Sequence, residues 1–302
     1  MPDQSTTLRE TYARDITRHA GVKDARVREA FAAVPREDFA GPPPWFVSGG
    51  LFGATGGRHD LESLYDDVLV AIDAPRGINN GQPSLHARAI EALALHEGET
   101  VLHVGAGAGY YTAILARLVG PAGKVIAYEI ETDIAERARV NLAPYPQVEV
   151  RAQSGAGPQP AAERIEVRRR SGGEESLPKA DAIYVNAAAS HPLKAWLEAL
   201  NPSGRLLFPL QAAHSTGGML LITRPPGEND HWGARMLCGV VFIACEGGQD
   251  REIGRRLDLA FRAGAHSVRS LRFGSDLRET DWLRGDGWAL STEPAGGGAD
   301  EE

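Results

Sequence analysis

The chain has 302 residues, of which 42 % are hydrophobic and 24 % charged, with a formal net charge of −8. These are the proportions of a soluble globular protein long enough for one large domain with attachments. The acidic balance argues against a broad nucleic-acid surface, the absence of an apolar run of about 18 residues argues against a membrane span, and the N-terminus lacks the basic and apolar regions of a signal peptide, so a cytoplasmic protein is expected.

In chain order, residues 6–39 read as helical. "TLRETYARDI" stops at Gly21, and "DARVREAFAAV" stops before Pro35. Val27, Ala30, Phe31 and Val34 recur at one helical face. Residues 40–63 form a Pro- and Gly-rich loop, too long for a simple connection. Its Trp45, Phe46, Leu51 and Phe52 either pack on the body or act as a lid, with packing favoured. Next comes "INNGQPSLH" (78–86), a polar, turn-prone tripeptide just ahead of an apolar helix. It is either a plain loop or the lip of an active site.

From 84 to about 245 apolar strands alternate with helix-like segments, which points to a mainly parallel α/β sheet. The strand candidates are 100–104, 124–130, 147–150, 181–186, 205–210, 218–223 and "GVVFIA" at 239–244. The pattern fails over 151–180, a polar insertion with at most one short extra strand around Ile165. "RIEVRRR" (164–170) is the one dense basic run, and Glu174 and Glu175 follow it, so a solvated face is expected. Cys238 and Cys245 are seven apart in a strand-like run, on opposite faces, so no mutual disulfide is expected, and neither has zinc spacing. Beyond 246 a helix, a strand and an aromatic-bearing end follow, then a tail expected to be disordered.

The stretch that carries chemistry is "VLHVGAGAGYYTAILARL". An apolar strand runs directly into Gly105-Ala106-Gly107-Ala108-Gly109 and then a helix. Glycines permit a tight turn at positive φ and close approach of a ligand, and the new helix turns its N–H groups toward ligand oxygens. Glu129 follows at the end of the second strand, where a carboxylate can accept both hydroxyls of a ribose. A G-x-G-x-G spacing, with the third glycine one residue earlier than in a dinucleotide site, favours S-adenosylmethionine over a nicotinamide cofactor. A dehydrogenase remains the alternative.

Several blocks in order resemble the protein-L-isoaspartate O-methyltransferases. They are "VREAFAAVPREDF" (27–39), "LYDDVLVAI" (64–72), the glycine stretch, "VIAYEI" (125–130) and "DAIYVNAAASHPLKAWLEALNPSGRLLFPL" (181–210). The resemblance covers roughly residues 26–245. It implies a Rossmann-like class I methyltransferase fold, with a central mixed seven-stranded sheet flanked by helices, a helical N-terminal segment and a C-terminal extension. The implied divisions are 1–83, which completes the active site, a cofactor-binding domain at 84–245, an extension at 246–293 and a tail at 294–302. The implied reaction is methyl transfer from S-adenosyl-L-methionine to an isoaspartyl or related carboxylate in a protein or peptide, without nucleic acid or membrane as partner and with no metal.

By the same resemblance Gly105, Ala106, Gly107, Gly109 and Tyr111 line the cofactor, and Glu129 and Ile130 hold its nucleoside. Ser154 and Asn186 complete the set. The family's Thr-Ile-Ser ahead of the helix falls on Asn79-Asn80-Gly81, so Asn80, Gly81 and Gln82 are the candidate catalytic residues. Three positions depart from the family pattern. Gly81 replaces a serine, and Ser84 supplies a hydroxyl only if the backbone shifts. Ser154 stands in place of an aspartate near the adenine, and Asn186 in place of a threonine. A specialised acceptor, or a homologue that binds the cofactor without catalysis, therefore stays open. In compensation, the Asn80 amide and the Gly81 N–H are expected to meet a carboxylate oxygen. Among the histidines, His103 reads as a buried or cleft-edge residue, His86 as helix surface and His191 as a candidate substrate contact.

Overall fold

The computed structural model describes residues 4–48, 56–157, 176–264 and 267–295. The chain divides into two compact units, Met1–Gln153 and Ser154–Glu302.

The first unit opens with α1 (Gln4–Ala20), α2 (Ala25–Ala33) and the short α3 (Glu37–Ala40). Asp24 caps α2, its carboxylate accepting the Arg26 N–H at 2.9 Å. Val27, Ala30, Phe31 and Val34 are all buried, as their helical spacing predicts. A small antiparallel sheet follows, in the order β1 (Val47–Ser48), β2 (Leu69–Asp73), β3 (Ile78–Asn79). Trp45, ahead of β1, is buried and donates its indole N–H to the Gly41 carbonyl at 2.8 Å, so it packs as expected, whereas Phe46 is half exposed. Leu51 and Phe52 lie outside the described residues.

Helix α4 (Pro83–Leu93) leads into three parallel strands, β4 (Thr100–Val104), β5 (Lys124–Tyr128) and β6 (Val148–Arg151). They alternate with α5 (Tyr110–Val119) and α6 (Thr132–Asn141). Val101, Leu102, Val125 and Ile126 are buried, as a strand covered on both faces requires.

The second unit holds β7 (Ala180–Val185), α7 (Lys194–Ala199), β8 (Leu200–Leu210), β9 (Gly217–Thr223), β10 (His231–Val240), α8 (Arg251–Ala263), β11 (Ser270–Phe273), β12 (Asp281–Gly285) and β13 (Trp288–Ser291). Its strands run in the order β12-β13-β11-β10-β9-β8-β7. β7 and β8 are parallel and the remaining pairs antiparallel, so the sheet is mixed. β4 to β10 are the seven strands of the expected fold. The extension supplies three more by pairing β11 onto β10, which identifies it as cover for a sheet edge.

The seventh strand is displaced from its sequence assignment. The expected run was 239–244, but β10 ends at Val240 because its partner β9 begins at Gly217. Beyond that point Gln211 replaces a strand. Its Oε1 accepts the Phe242 N–H at 2.8 Å and its Nε2 donates to the Phe242 carbonyl at 3.0 Å. Cys238 is in β10 and Cys245 in the loop after it, and the two form no disulfide with each other. The possible strand at Ile165, the basic run 164–170 and most of the C-terminal tail lie outside the described residues.

Candidate active site

β4 delivers the chain into the glycine loop, which fastens itself to the end of β5. The N–H groups of Gly105 and Ala106 both donate to the Tyr128 carbonyl, at 2.9 and 3.1 Å. The Gly107 N–H donates to Glu129 Oε2 at 2.7 Å, and the Glu131 N–H to Glu129 Oε1 at 3.0 Å. Glu129 is only 7 % exposed. Burial pushes its carboxyl pKa up, and the N–H donors of Glu131, Gly107 and Ile130 oppose the rise by stabilising the anion. Gly107 has φ +56°, and a Cβ there would lie 2.9 Å from Ile72 Cδ1, so this position needs glycine for both its conformation and its space. Asn141 ties the loop down from α6, donating to the Ala108 carbonyl at 3.0 Å.

These residues fit a nucleoside cofactor. The Glu129 carboxylate has about four acceptor sites, more than these N–H donors fill, and so retains lone-pair capacity for a sugar hydroxyl. Ile130, directly after it, leaves an apolar side chain 38 % exposed, suited to the face of a base.

The lip is assembled differently. Asn80 continues the small sheet, its N–H donating to the Val70 carbonyl at 3.0 Å. Its side-chain Oδ1 is turned inward, accepting from the Val70 N–H at 2.8 Å and from Arg36 at 3.4 Å. The Gly81 N–H is taken by Asn79 Oδ1 at 2.9 Å, an Asx turn that contradicts the expectation of a Gly81 N–H directed at an acceptor. Asp67 caps the start of α4: its Oδ1 accepts the Ser84 N–H at 2.8 Å, and its Oδ2 accepts the Ser84 hydroxyl at 2.6 Å and the Gln82 amide at 2.8 Å. The Ser84 hydroxyl is therefore committed to Asp67 and does not replace the serine missing at position 81.

Arg36 is fully buried beneath this lip. It donates to the carbonyls of Leu64, Asp66 and Val68, and its guanidinium lies 5.6 Å from the Tyr12 ring centroid and 5.9 Å from that of Tyr110. His86 is buried at 2 % exposure, which corrects the surface position expected for it: its ring stacks on Tyr111 at 3.7 Å and 10°. The Tyr111 hydroxyl donates to the Gly81 carbonyl at 3.4 Å and so links the lip to the helix after the glycine loop. Sequence reading missed the roles of Asp67, Arg36 and His86. The first two sit in the matched blocks "LYDD" and "VPRE", and those blocks were the available signal. His103 is buried in β4 as expected, its Nδ1 2.8 Å from the Thr112 hydroxyl.

In the second unit, the Ser154 hydroxyl accepts the Ala156 N–H at 3.2 Å and so helps form the turn there. Asn186 directly follows β7. The loop after it is fixed from 241–249: the Ala188 N–H donates to the Ile243 carbonyl at 2.7 Å, and the Gln249 amide to the Ala188 carbonyl at 2.7 Å. The His191 ring lies parallel to Trp288 with centroids 6.3 Å apart, so it packs on the C-terminal hairpin.

A family model described as "Protein-L-isoaspartate(D-aspartate) O-methyltransferase (PCMT)" matches residues 58–249. The chain belongs to the protein-L-isoaspartate(D-aspartate) O-methyltransferase family. A protein-L-isoaspartate O-methyltransferase of Methylorubrum extorquens is 33 % identical over 227 residues, 74 % of this chain and 81 % of that protein. Protein-L-isoaspartate O-methyltransferase 2 of Archaeoglobus fulgidus is 35 % identical over 172 residues, 54 % of this chain and 71 % of that protein. Among solved structures, a protein-L-isoaspartate O-methyltransferase shares the fold at TM-score 0.61 and 21 % identity, covering 89 % of this chain and 72 % of the other. A putative one from Plasmodium falciparum, in complex with S-adenosyl-L-homocysteine, does so at 0.59 and 19 %, covering 78 % and 97 %. As a member of this family, the chain is an S-adenosylmethionine-dependent methyltransferase.

Proposed function

We propose that this member methylates the isoaspartyl carboxylate of a damaged protein or peptide, in the cytoplasm, as a protein-repair enzyme. The observation that carries the reading is the joining of lip and glycine loop: Tyr111 fastens Gly81, and Ile72 covers Gly107. S-adenosylmethionine supplies a positively charged sulfonium with an electrophilic methyl group. Glu129 would hold the ribose hydroxyls, Ile130 the base, and Gly105 to Gly109 with Tyr111 the remaining approach. Ser154 and Asn186 are assigned to the cofactor on the family resemblance.

The acceptor carboxylate is already ionised at pH 7, so no general base is required. The protein's task is alignment and exclusion of water, and fixing reactants in an attack geometry is worth on the order of 7–11 kcal/mol in favourable intramolecular systems. Among the described residues, the Asn80 amide nitrogen and the Gln82 N–H have no protein acceptor. They are the donors assigned to the carboxylate.

Incubation with labelled S-adenosylmethionine and an isoaspartyl peptide, beside its aspartyl twin, tests the reading. Base-labile label is expected on the isoaspartyl peptide alone. Cofactor bound with neither peptide labelled overturns repair in favour of a specialised carboxylate acceptor or a non-catalytic role.

A further inference from the structure

The lip contains a steric exclusion. Gly81 has φ +72°, and a Cβ placed on it would lie 2.1 Å from His86 Nε2 and 2.9 Å from His86 Cδ2. No ordinary contact is that short, so a side chain at 81 and the imidazole in its present place are mutually exclusive. The imidazole is held there by its face-to-face stack on Tyr111 at 3.7 Å. The Tyr111 hydroxyl returns to the Gly81 carbonyl at 3.4 Å. Three residues thus close a ring: lip backbone against imidazole edge, imidazole against phenol face, phenol hydroxyl against lip backbone. The glycine loop needs none of this, because Tyr128 and Glu129 hold it.

We propose that His86 is a positioning residue for the methyl acceptor. By filling the side-chain space of position 81 and stacking on Tyr111, it sets the distance between the lip and the helix that follows the glycine loop. Position 81 then offers backbone only, and the acceptor carboxylate is met by main chain and by the Asn80 amide. The inference rests on the carboxyl-methyltransferase reading above, but its steric half stands independently of that reading.

Gly81→Ala, His86→Ala and the double variant test it, with KM and kcat on an isoaspartyl peptide, the Kd for S-adenosylhomocysteine, and the NMR shift of the His86 Hε1 proton. His86→Ala is expected to raise KM about tenfold and leave the S-adenosylhomocysteine Kd within about threefold, because the acceptor side alone loses its support. Gly81→Ala is expected to raise KM about tenfold in the parent chain but less than about threefold when His86 is already alanine, the signature of coupled sites. The Hε1 resonance is expected to lie upfield in the parent chain because of the Tyr111 ring, and to move downfield in Gly81→Ala. Should Gly81→Ala fail to fold while the double variant folds, the exclusion is also supported. Independent KM effects, or an S-adenosylhomocysteine Kd that rises in step with KM, overturn the proposal. An unmoved Hε1 resonance overturns it without touching the catalytic reading, and a parent chain that labels no peptide sinks that reading while the Hε1 shift still tests the stack.

Discussion

The glycine loop at 105–109 and the lip at 79–82 are both glycine-bearing turns that feed a helix, yet different interactions hold them. The loop is secured by the neighbouring strand end: two N–H groups share the Tyr128 carbonyl, and one reaches Glu129. The lip is secured by side chains from elsewhere in the first unit: Arg36 from the segment after α2, Asp67 from the turn before β2, and His86 and Tyr111 from two helices. The donor side is thus built from main chain and tolerates little change of residue type. The acceptor side is built from distributed side chains, and a single replacement there, such as glycine for serine at 81, reshapes what the site meets.

The sharpest way to break this contrast is at Arg36. Its guanidinium satisfies three buried carbonyls and the Asn80 side chain. Arg36→Ala strands those acceptors, and a loss of about 3–5 kcal/mol is expected. The check is urea unfolding of the parent and the variant. A loss below about 1 kcal/mol would mean that the lip does not depend on this distant strut. The counterpart on the donor side is Glu129→Gln. An amide cannot accept both the Gly107 and Glu131 N–H groups as the carboxylate does, and hydrogen bonds to a charged group are worth about 1.5–3 kcal/mol. Calorimetry is expected to show S-adenosylhomocysteine binding weakened about 30- to 100-fold, with His86 Hε1 unmoved. Unchanged affinity would remove Glu129 from the cofactor site.

The same contrast explains what could be read from the sequence. The strand, the glycines, the helix and Glu129 lie within 30 consecutive residues, so β4, α5 and β5 with their loop were legible from local pattern. The lip was legible as a turn, but not its support. Nothing near His86 in sequence says that its ring occupies the side-chain space of Gly81, since that contact depends on the stack with Tyr111, 25 positions away. The inward turn of Asn80 depends likewise on Arg36, 44 positions back. β10 was misplaced for a related reason: "GVVFIA" has strand-like composition, but its end is set by where β9 begins and by Gln211, both remote in sequence. The extension's hairpin was legible as aromatic-bearing chain, whereas its pairing onto β10 depends on which sheet edge is open.

Acid provides the last and smallest separation, because the two sides each bury a histidine. Burial lowers the His103 pKa to about 3, and burial, with a smaller contribution from the proximity of the His103 ring and the Arg36 guanidinium, pushes His86 well below its ordinary value. Both are neutral when folded, whereas in the unfolded chain they take up a proton near pH 6.5. The unfolded state therefore binds more protons below that pH. Stability contributed by each neutral imidazole is complete above about pH 7 and lost as pH falls through the unfolded pKa toward the folded one. For His103 the loss amounts to about 2 kcal/mol at pH 5. His103→Asn, which can still bond Thr112 but cannot take up the proton, is expected to flatten the fall in urea midpoint between pH 7 and 5. His86→Asn flattens it as well but also loosens the lip, so only it should raise KM for the acceptor at pH 7.5. If both variants kept the parent's acid limb, the proton uptake would belong to other groups. If both raised KM alike, the separation of a main-chain donor side from a side-chain acceptor side would fail.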